Sequence, residues 1–357
     1  MKKVLSILLA VTLILTGILT FSGCSKDEST PSKSGESHDG FYVEGTKLYD
    51  ANGNEFVMRG INVAHAWYKS FTMDSLERCA ELGCNTVRVV LGEGSQYDED
   101  LDTDVARIIK KCKELNMIAV LEPHDFTGMN NQDDIMRAVK YWEKIKSVIE
   151  GEEKYVIINI ANEWWGEWTT KGWKEGCINA IKQLREDGFK HVIMVDCAGY
   201  AQYTKSIFSS AKDVYAADPT GNTMFSIHMY DNAGGNDTVV KRNIDKTLAM
   251  GLCLCIGEFS CEHKGNPVAE EYIMKYTTET GVGYIAWSYA GNGSGLQPLD
   301  VTTPWTGELT EWGEYLIKGE GGIKETSVIC SVFDKGNGKN ANNKNKYTFT
   351  TPTSEGE

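Results

Sequence analysis

Two glutamates each follow directly on an apolar run. Val156-Ile157-Ile158-Asn159-Ile160-Ala161 leads into Asn162-Glu163, and Cys253-Leu254-Cys255-Ile256-Gly257 leads into Glu258. Each run has the length and apolar content of a buried strand. Each would therefore deliver one carboxyl group to the C-terminal edge of a sheet. Cleavage of a glycosidic bond needs such a pair: one carboxyl protonates the leaving oxygen, and the other attacks the anomeric carbon or activates water. A glutamate at a strand end is most often simply solvated, so the pair acquires meaning only if the remaining elements bring its members together.

Those elements alternate in type. Strand-like segments at 58–64, 85–91, 118–121, 156–161, 191–196, 224–229, 252–257 and 283–287 are interleaved with helix-like segments at 73–82, 102–115, 133–149, 172–186, 204–210, 238–250, 269–280 and 310–318. Eight successive βα units with short, apolar strands predict an α/β fold, the (β/α)8 TIM barrel. A doubly wound open sheet would carry a glycine-rich phosphate turn after an early strand, and none is present. Ahead of the barrel, 41–43 and 47–49 flank Glu44-Gly45-Thr46, and Asn52-Gly53 follows. This reads as a short β-hairpin closing the bottom of the barrel.

In such a barrel, function gathers at the C-terminal ends of the strands. His65 and Trp67 follow the first strand, and Arg88 lies in the second. His124 and Asp125 follow the third, Asn162, Glu163, Trp164 and Trp165 the fourth, and His228 and Tyr230 the sixth. Glu258 ends the seventh and Trp287 the eighth. An arginine near one carboxyl would hold it ionised as the nucleophile, and burial would keep the other protonated as the acid. For His65, packing and sugar contact are both open, as are core and cleft for Trp164 and Trp165. Asp125 is expected to support the site from behind. The two histidines His124 and His228 lack a matching carboxylate triad, so no metal or other cofactor is expected. The acidic run Asp98-Glu99-Asp100 reads as a solvated loop.

The chain resembles glycoside hydrolase family 5 of clan A, and within it the bacterial endo-β-1,4-mannanase branch. The segments that carry the likeness are Phe56–Asn62, His65–Tyr68, Ile157–Trp164, Asp218-Pro219, Asn222–Tyr230, Ile256–Phe259 and Glu325–Ser327. The resemblance implies that Glu163 is the acid/base and Glu258 the nucleophile of a retaining double displacement. It implies that Asn162 bonds the sugar 2-hydroxyl, and that Arg88 and Tyr230 surround the nucleophile. His124 and His228 would line the subsite at the cleaved bond, Trp287 would form its floor, and Trp67 would stack one subsite further out. The implied substrate is mannan, glucomannan or galactomannan, cut internally by a monomer. The sequence departs from the branch at Ser260-Cys261-Glu262-His263, at Asp231-Asn232 and at Tyr289-Ala290. These positions are expected to carry substrate choice. They leave an endo-β-1,4-glucanase as a rival, alongside a sugar-binding lipoprotein without turnover.

The chain's remaining features restrict its setting. Lys2 and Lys3 precede an apolar stretch from Val4 to Leu19, and Phe21-Ser22-Gly23-Cys24 resembles a lipobox. Residues 1–23 are therefore expected to be a lipoprotein signal peptide. Cys24 would be the lipidated residue of an exported, cell-surface protein that touches the membrane only through its lipid. Residues 24–40 read as a flexible tether and 335–357 as a disordered tail, leaving 41–334 as the catalytic domain. The net charge of −14 over 357 residues disfavours nucleic acid or an anionic membrane surface as a partner. Of ten cysteines, nine lie beyond Cys24, mostly within apolar patterns, and an odd number cannot all pair. They are expected to be free buried thiols.

Overall fold

The computed structural model describes residues 38–334; the signal-peptide segment, Cys24, most of the tether and the tail lie outside the described residues. Two strands, β1 (Tyr42–Glu44) and β2 (Lys47–Tyr49), form an antiparallel hairpin. The barrel strands are β3 (Arg59–Val63), β4 (Thr86–Leu91), β5 (Ile118–Pro123), β6 (Val156–Asn159), β7 (Ile193–Asp196), β8 (Thr223–Met229), β9 (Leu254–Phe259) and β12 (Gly283–Ala286). They are all parallel and close in the order β12-β3-β4-β5-β6-β7-β8-β9. Between β9 and β12 a small hairpin intervenes, β10 (Glu262–His263) and β11 (Asn266–Pro267). Its turn residues Lys264 and Gly265 both have positive φ, 52° and 78°. Two central residues with positive φ suit a two-residue hairpin turn, and the sequence pattern did not reveal this one.

Helices cover the barrel's outer face, and a continuous apolar layer lies between helices and strands. Asn131, Asn236 and Thr310 start three of these helices by accepting from the N–H of Asp133, Val239 and Gly313 at 3.0–3.1 Å. Two boundaries differ from expectation. The helix expected at 133–149 breaks at Ile145 into Gln132–Lys144 and Lys146–Ile149. The one expected at 204–210 continues to Ala216, because Ala211 and Val214 extend its buried stripe.

Inside the barrel, side chains sort by height. Met58, Val120, Ile157, Met194, Met224, Cys255 and Ile285 form a dry lower layer. Phe41 and Leu48 of the hairpin region close it from below, together with Phe56. The hairpin is tied down where the Val43 N–H donates to Asn222 Oδ1 at 3.0 Å. Asn222 is held in turn by Asp218, whose carboxylate accepts from the Asn222 N–H and from both Nε and Nη2 of Arg185. The nine described cysteines are all free; eight are buried and Cys261 is half-buried.

The Arg185–Asp218 pair is almost fully buried. Burial pushes the Asp218 carboxyl up, but Arg185 and the hydroxyls of Thr220 and Thr223 pull it down to about 2. Its stabilisation is thus present above the free aspartate value and lost as pH falls through about 2. Asp218→Ala should cost about 3–5 kcal/mol in urea unfolding at pH 7, because it strands a buried guanidinium. Asp218→Asn should lose less stability than the native chain as the pH drops below 4.

Candidate active site

Arg88 of β4 sits at the centre of the barrel's upper layer, wholly buried. Its Nε and Nη2 both donate to Asn159 Oδ1, at 3.0 and 2.8 Å, and Nη2 also donates to Asn162 Oδ1 at 2.7 Å. Nη1 donates to Asn62 Oδ1 and to Glu258 Oε1, both at 2.9 Å. Glu122 and Asp196 stand further out, at 3.4 and 3.7 Å. The Tyr230 hydroxyl donates to the second oxygen of Glu258 at 2.8 Å. Both Glu258 oxygens are thus held, one by Arg88 of β4 and the other by Tyr230 just after β8.

Glu258 faces inward because of a β-bulge. The β8–β9 register runs Ile227↔Ile256 and then His228↔Glu258, so one residue of β9 is left unpaired. Cys255 packs in the inner layer and Ile256 in the outer one. Alternation would next put Gly257 inside and Glu258 outside; the extra residue instead aims both inward. Only glycine fits at 257, where a Cβ would lie 2.3 Å from Ser226 Oγ and 3.1 Å from His228 Nε2.

Glu163 reaches the same space by another route. Strand β6 ends at Asn159, so Glu163 lies in the following segment and not at the strand's edge. Its φ is 47°, the left-handed region that a residue with a side chain rarely adopts. Two hydrogen bonds hold it there: its N–H donates to Asp196 Oδ2 at 2.9 Å, and its carbonyl accepts from the Gly128 N–H at 3.1 Å. Its Oε1 lies 2.8 Å from His228 Nδ1, which is itself 3.4 Å from Glu258. One oxygen of Glu163 and one of Glu258 come within 4.8 Å.

Burial pushes Glu163 well above the usual carboxylate range, and the charges of Glu258 and Asp196 push it further. Burial raises Glu258 as well, to about 7, but Arg88 and the Tyr230 hydroxyl pull against it. The last proton in the pair therefore rests on Glu163. Burial and Arg88 depress His228, so its ring is neutral. A protonated Glu163 then donates to His228 Nδ1, which places the ring's own hydrogen on Nε2, facing Asp196 at 3.6 Å.

The wall beside Glu258 is aromatic. His124 stacks on Trp287 at 5.5 Å, and Trp67 meets His124 at 5.0 Å and Trp287 at 6.3 Å. The Asn162 amide donates to His124 Nε2 at 3.3 Å and to Thr127 at 2.9 Å, so Nδ1 of His124 donates to Glu122 at 2.9 Å. Glu163, Glu258, Arg88, Asn162, His124, His228, Tyr230, Trp67 and Trp287 thus meet at one barrel mouth. Among the described residues, Glu163, His228 and Glu258 form the one trio spaced to ligate a cation. The guanidinium 2.9 Å from Glu258 already supplies positive charge there.

The family model described as Cellulase (glycosyl hydrolase family 5) matches residues 49–293. The chain is 46% identical over 300 residues to a mannan endo-1,4-beta-mannosidase of Salipaludibacillus agaradhaerens, covering 84% of this chain and 97% of that one. It is 40% identical to one from Cellvibrio japonicus, over 82% of this chain and 69% of the other. The solved mannotriose complex of Thermomonospora fusca beta-mannanase superposes with a TM-score of 0.78 at 38% identity, covering 82% of this chain and 99% of that chain. The chain belongs to glycosyl hydrolase family 5. In this family 5 chain the two carboxyl groups differ in environment as an acid and a nucleophile must.

Several positions behave differently from their sequence reading. His65 is buried between Thr72 Oγ1 at 2.6 Å and Asp100 at 2.9 Å, and so packs under the first loop. Asp100 is itself fully buried and also meets Lys69, so the run 98–100 is not simply a solvated loop. Asp125 accepts from the N–H groups of Glu93, Ser95, Gln96 and Tyr97, and this fixes the loop whose Tyr97 ring packs on Trp67. Trp164 is core, whereas Trp165 is only partly buried. Tyr289 and Ala290 are buried and pack in the apolar layer between the strands and the helices. Asn62, Asn159 and Asp196 were not foreseen. A polar residue inside an apolar strand run was their signal, plainest at Asn159.

Tyr230→Phe removes a hydrogen bond that favours the ionised form of Glu258, so the pKa of Glu258 should rise. The acid limb of the kcat/KM pH profile should then move to higher pH, while the alkaline limb moves less.

Proposed function

We propose that this protein is an endo-β-1,4-mannanase that hydrolyses internal bonds of mannan, glucomannan or galactomannan with retention of configuration. The observation that carries the mechanism is the approach of Glu163 and Glu258 to within 4.8 Å, Glu258 polarised by Arg88 and Glu163 forced to keep a proton. Retaining enzymes hold their carboxyl groups about 5–5.5 Å apart, whereas inverting ones leave about 6.5–9.5 Å for a water. The substrate class rests on the mannan-cleaving relatives and on the aromatic wall of Trp67 and Trp287.

In the first step Glu258 attacks the anomeric carbon while Glu163 gives its proton to the leaving oxygen. Once Glu258 is esterified its charge is gone, and with it one of the forces that raised Glu163. Glu163, now ionised, takes a proton from water, and the hydroxide attacks the glycosyl ester and frees Glu258. His228 is neutral, and its Nδ1 orients Glu163 while that acid carries its proton. Asn162 is turned by Arg88 so that its amide hydrogens face the wall of His124, where a sugar hydroxyl can replace His124 as acceptor.

Purified protein on linear mannan should release short oligosaccharides of initially β configuration by NMR, with carboxymethylcellulose cut more slowly. Equal or faster cellulose cleavage would favour the glucanase rival. Glu258→Ala should lose hydrolysis at least 10³-fold while still binding mannohexaose in calorimetry; hydrolysis at the native rate would show another nucleophile.

We further infer that the protein is exported and anchored through a lipid on Cys24. The support is the dibasic start, the apolar stretch 4–19 and the Phe21–Cys24 motif. Cys24→Ala should abolish incorporation of labelled fatty acid in the producing cell; unchanged labelling would exclude this site.

A further inference from the structure

Two of the stretches expected to carry substrate choice meet each other in the fold. Asp231 opens the short helix Asp231–Gly234 after β8, and His263 lies on β10. The His263 ring donates from Nδ1 to Asp231 Oδ1 at 2.9 Å. The same ring lies over that of Tyr230, with centroids 4.7 Å apart and planes 31° from parallel. Tyr230 is buried, and its hydroxyl holds Glu258. Asp231, His263, Tyr230 and Glu258 therefore form one line of contacts from the surface to the nucleophile.

Most of the β10–β11 hairpin stands in solvent. Lys264, Gly265, Asn266 and Pro267 are exposed, whereas Glu262 and His263 are partly covered. The base of the hairpin is tied to the barrel. The Val268 N–H donates to the Cys261 carbonyl at 3.3 Å, the Ala269 N–H to the Gly234 carbonyl at 2.8 Å, and the Cys261 thiol to the Pro298 carbonyl at 3.4 Å. The register pairs His263 with Asn266, whose side-chain amide donates to the His263 carbonyl at 3.2 Å. The tie at Gly234 reaches Tyr230 directly, because the Gly234 N–H donates to the Tyr230 carbonyl at 2.6 Å. One short turn thus fixes both the backbone of Tyr230 and the base of the hairpin whose histidine covers its ring.

We propose that His263 is a positioning residue for the nucleophile: fixed by Asp231, it braces the Tyr230 ring so that the phenol stays on Glu258. This rests on the reading of Glu258 as nucleophile given above. A tyrosine ring pivots about two side-chain torsions, and its hydroxyl bond weakens steeply once the angle departs from linear. The ring contact blocks one direction of swing, and Asp231 keeps the imidazole from turning away. Truncation at 263 opens that face of Tyr230 and lets the phenol leave Glu258 part of the time. Glu258 then loses part of a hydrogen bond that favours its ionised form. The other titratable groups around Glu258 are Arg88 on β4, Glu122 on β5, His124 just after it, Glu163 after β6 and His228 on β8. His263 itself faces Asp231 and Tyr230, with Glu262 and Lys264 beside it in the chain.

The test compares native protein with Tyr230→Phe, His263→Ala, His263→Phe and the double variant Tyr230→Phe/His263→Ala. Mannohexaose and cellohexaose are run side by side, and the one that the native protein cuts is used. Tyr230→Phe should move the acid limb of kcat/KM, which reports ionisation of Glu258, up by about one pH unit. His263→Ala should move it up by about half a unit and lower kcat, while calorimetric binding of the matching trisaccharide stays within about twofold. In the Tyr230→Phe background, His263→Ala should add little further shift, because the hydroxyl it braces is already gone. His263→Phe keeps a flat ring and carries no charge, so it should return the limb most of the way to native. If Tyr230→Phe leaves the acid limb in place, the reading of Glu258 fails and the proposal falls with it. If Tyr230→Phe moves the limb, three results overturn the bracing role alone. These are an unmoved limb in His263→Ala, an equal shift with and without the Tyr230 hydroxyl, and trisaccharide binding that falls in step with kcat/KM.

Discussion

A single buried guanidinium organises the centre of this protein. Arg88 has no exposure to water, and each of its hydrogen-bonding nitrogens finds an oxygen from another strand or from the segment after β6. Three asparagines and one glutamate supply those oxygens. Removing such a cation from water costs several kcal/mol unless its partners are in place, so the barrel must close accurately before Arg88 can be accommodated. The same cation is outnumbered. Glu258, Glu122, Asp196 and Glu163 all raise its affinity for its proton. An enclosure with more acids than bases must retain a proton, and the acid furthest from arginine's direct bonds retains it. The difference in proton affinity between Glu163 and Glu258 follows from that imbalance.

The polar centre is stable because what lies beneath it is dry. On β8 the inward residues rise from Met224 through Ser226 to His228, and on β7 from Met194 to Asp196. On β6 they pass from Ile157 to Asn159, and on β5 from Val120 to Glu122. Each strand thus changes from apolar to polar at the same height. The lower layer and the hairpin keep water from reaching Arg88 from below. In this low-dielectric setting, the charges at the mouth act on one another with little screening.

Much of the fold was legible in the sequence because local patterns report burial. Eight apolar segments separated by amphipathic helices leave few arrangements, and the strand-end polar residues marked the mouth. Glu163, Glu258, Arg88, His124, Asn162, His228, Tyr230, Trp67 and Trp287 were all identifiable as candidates from type and position. The network behind them was harder to see. Asn159 and Asn62 stood within apolar runs and Asp196 at the end of another, but nothing local linked them to Arg88. Tyr289 and Ala290, next to Trp287 in sequence, pack in the apolar layer between strands and helices.

Periodicity and residue type alone determined that eight strands would be covered on both sides and that two carboxyl groups would be offered at one edge. The tertiary structure decided how they are aimed. Glu258 faces inward because a bulge against β8 inserts one residue, and strict alternation along β9 would have turned it outward. Glu163 is reached only after β6 has ended, in a left-handed conformation held by Asp196 and Gly128. Both outcomes depend on partners distant in the chain, whereas a sequence pattern records only which residues prefer to be buried and not whom they meet.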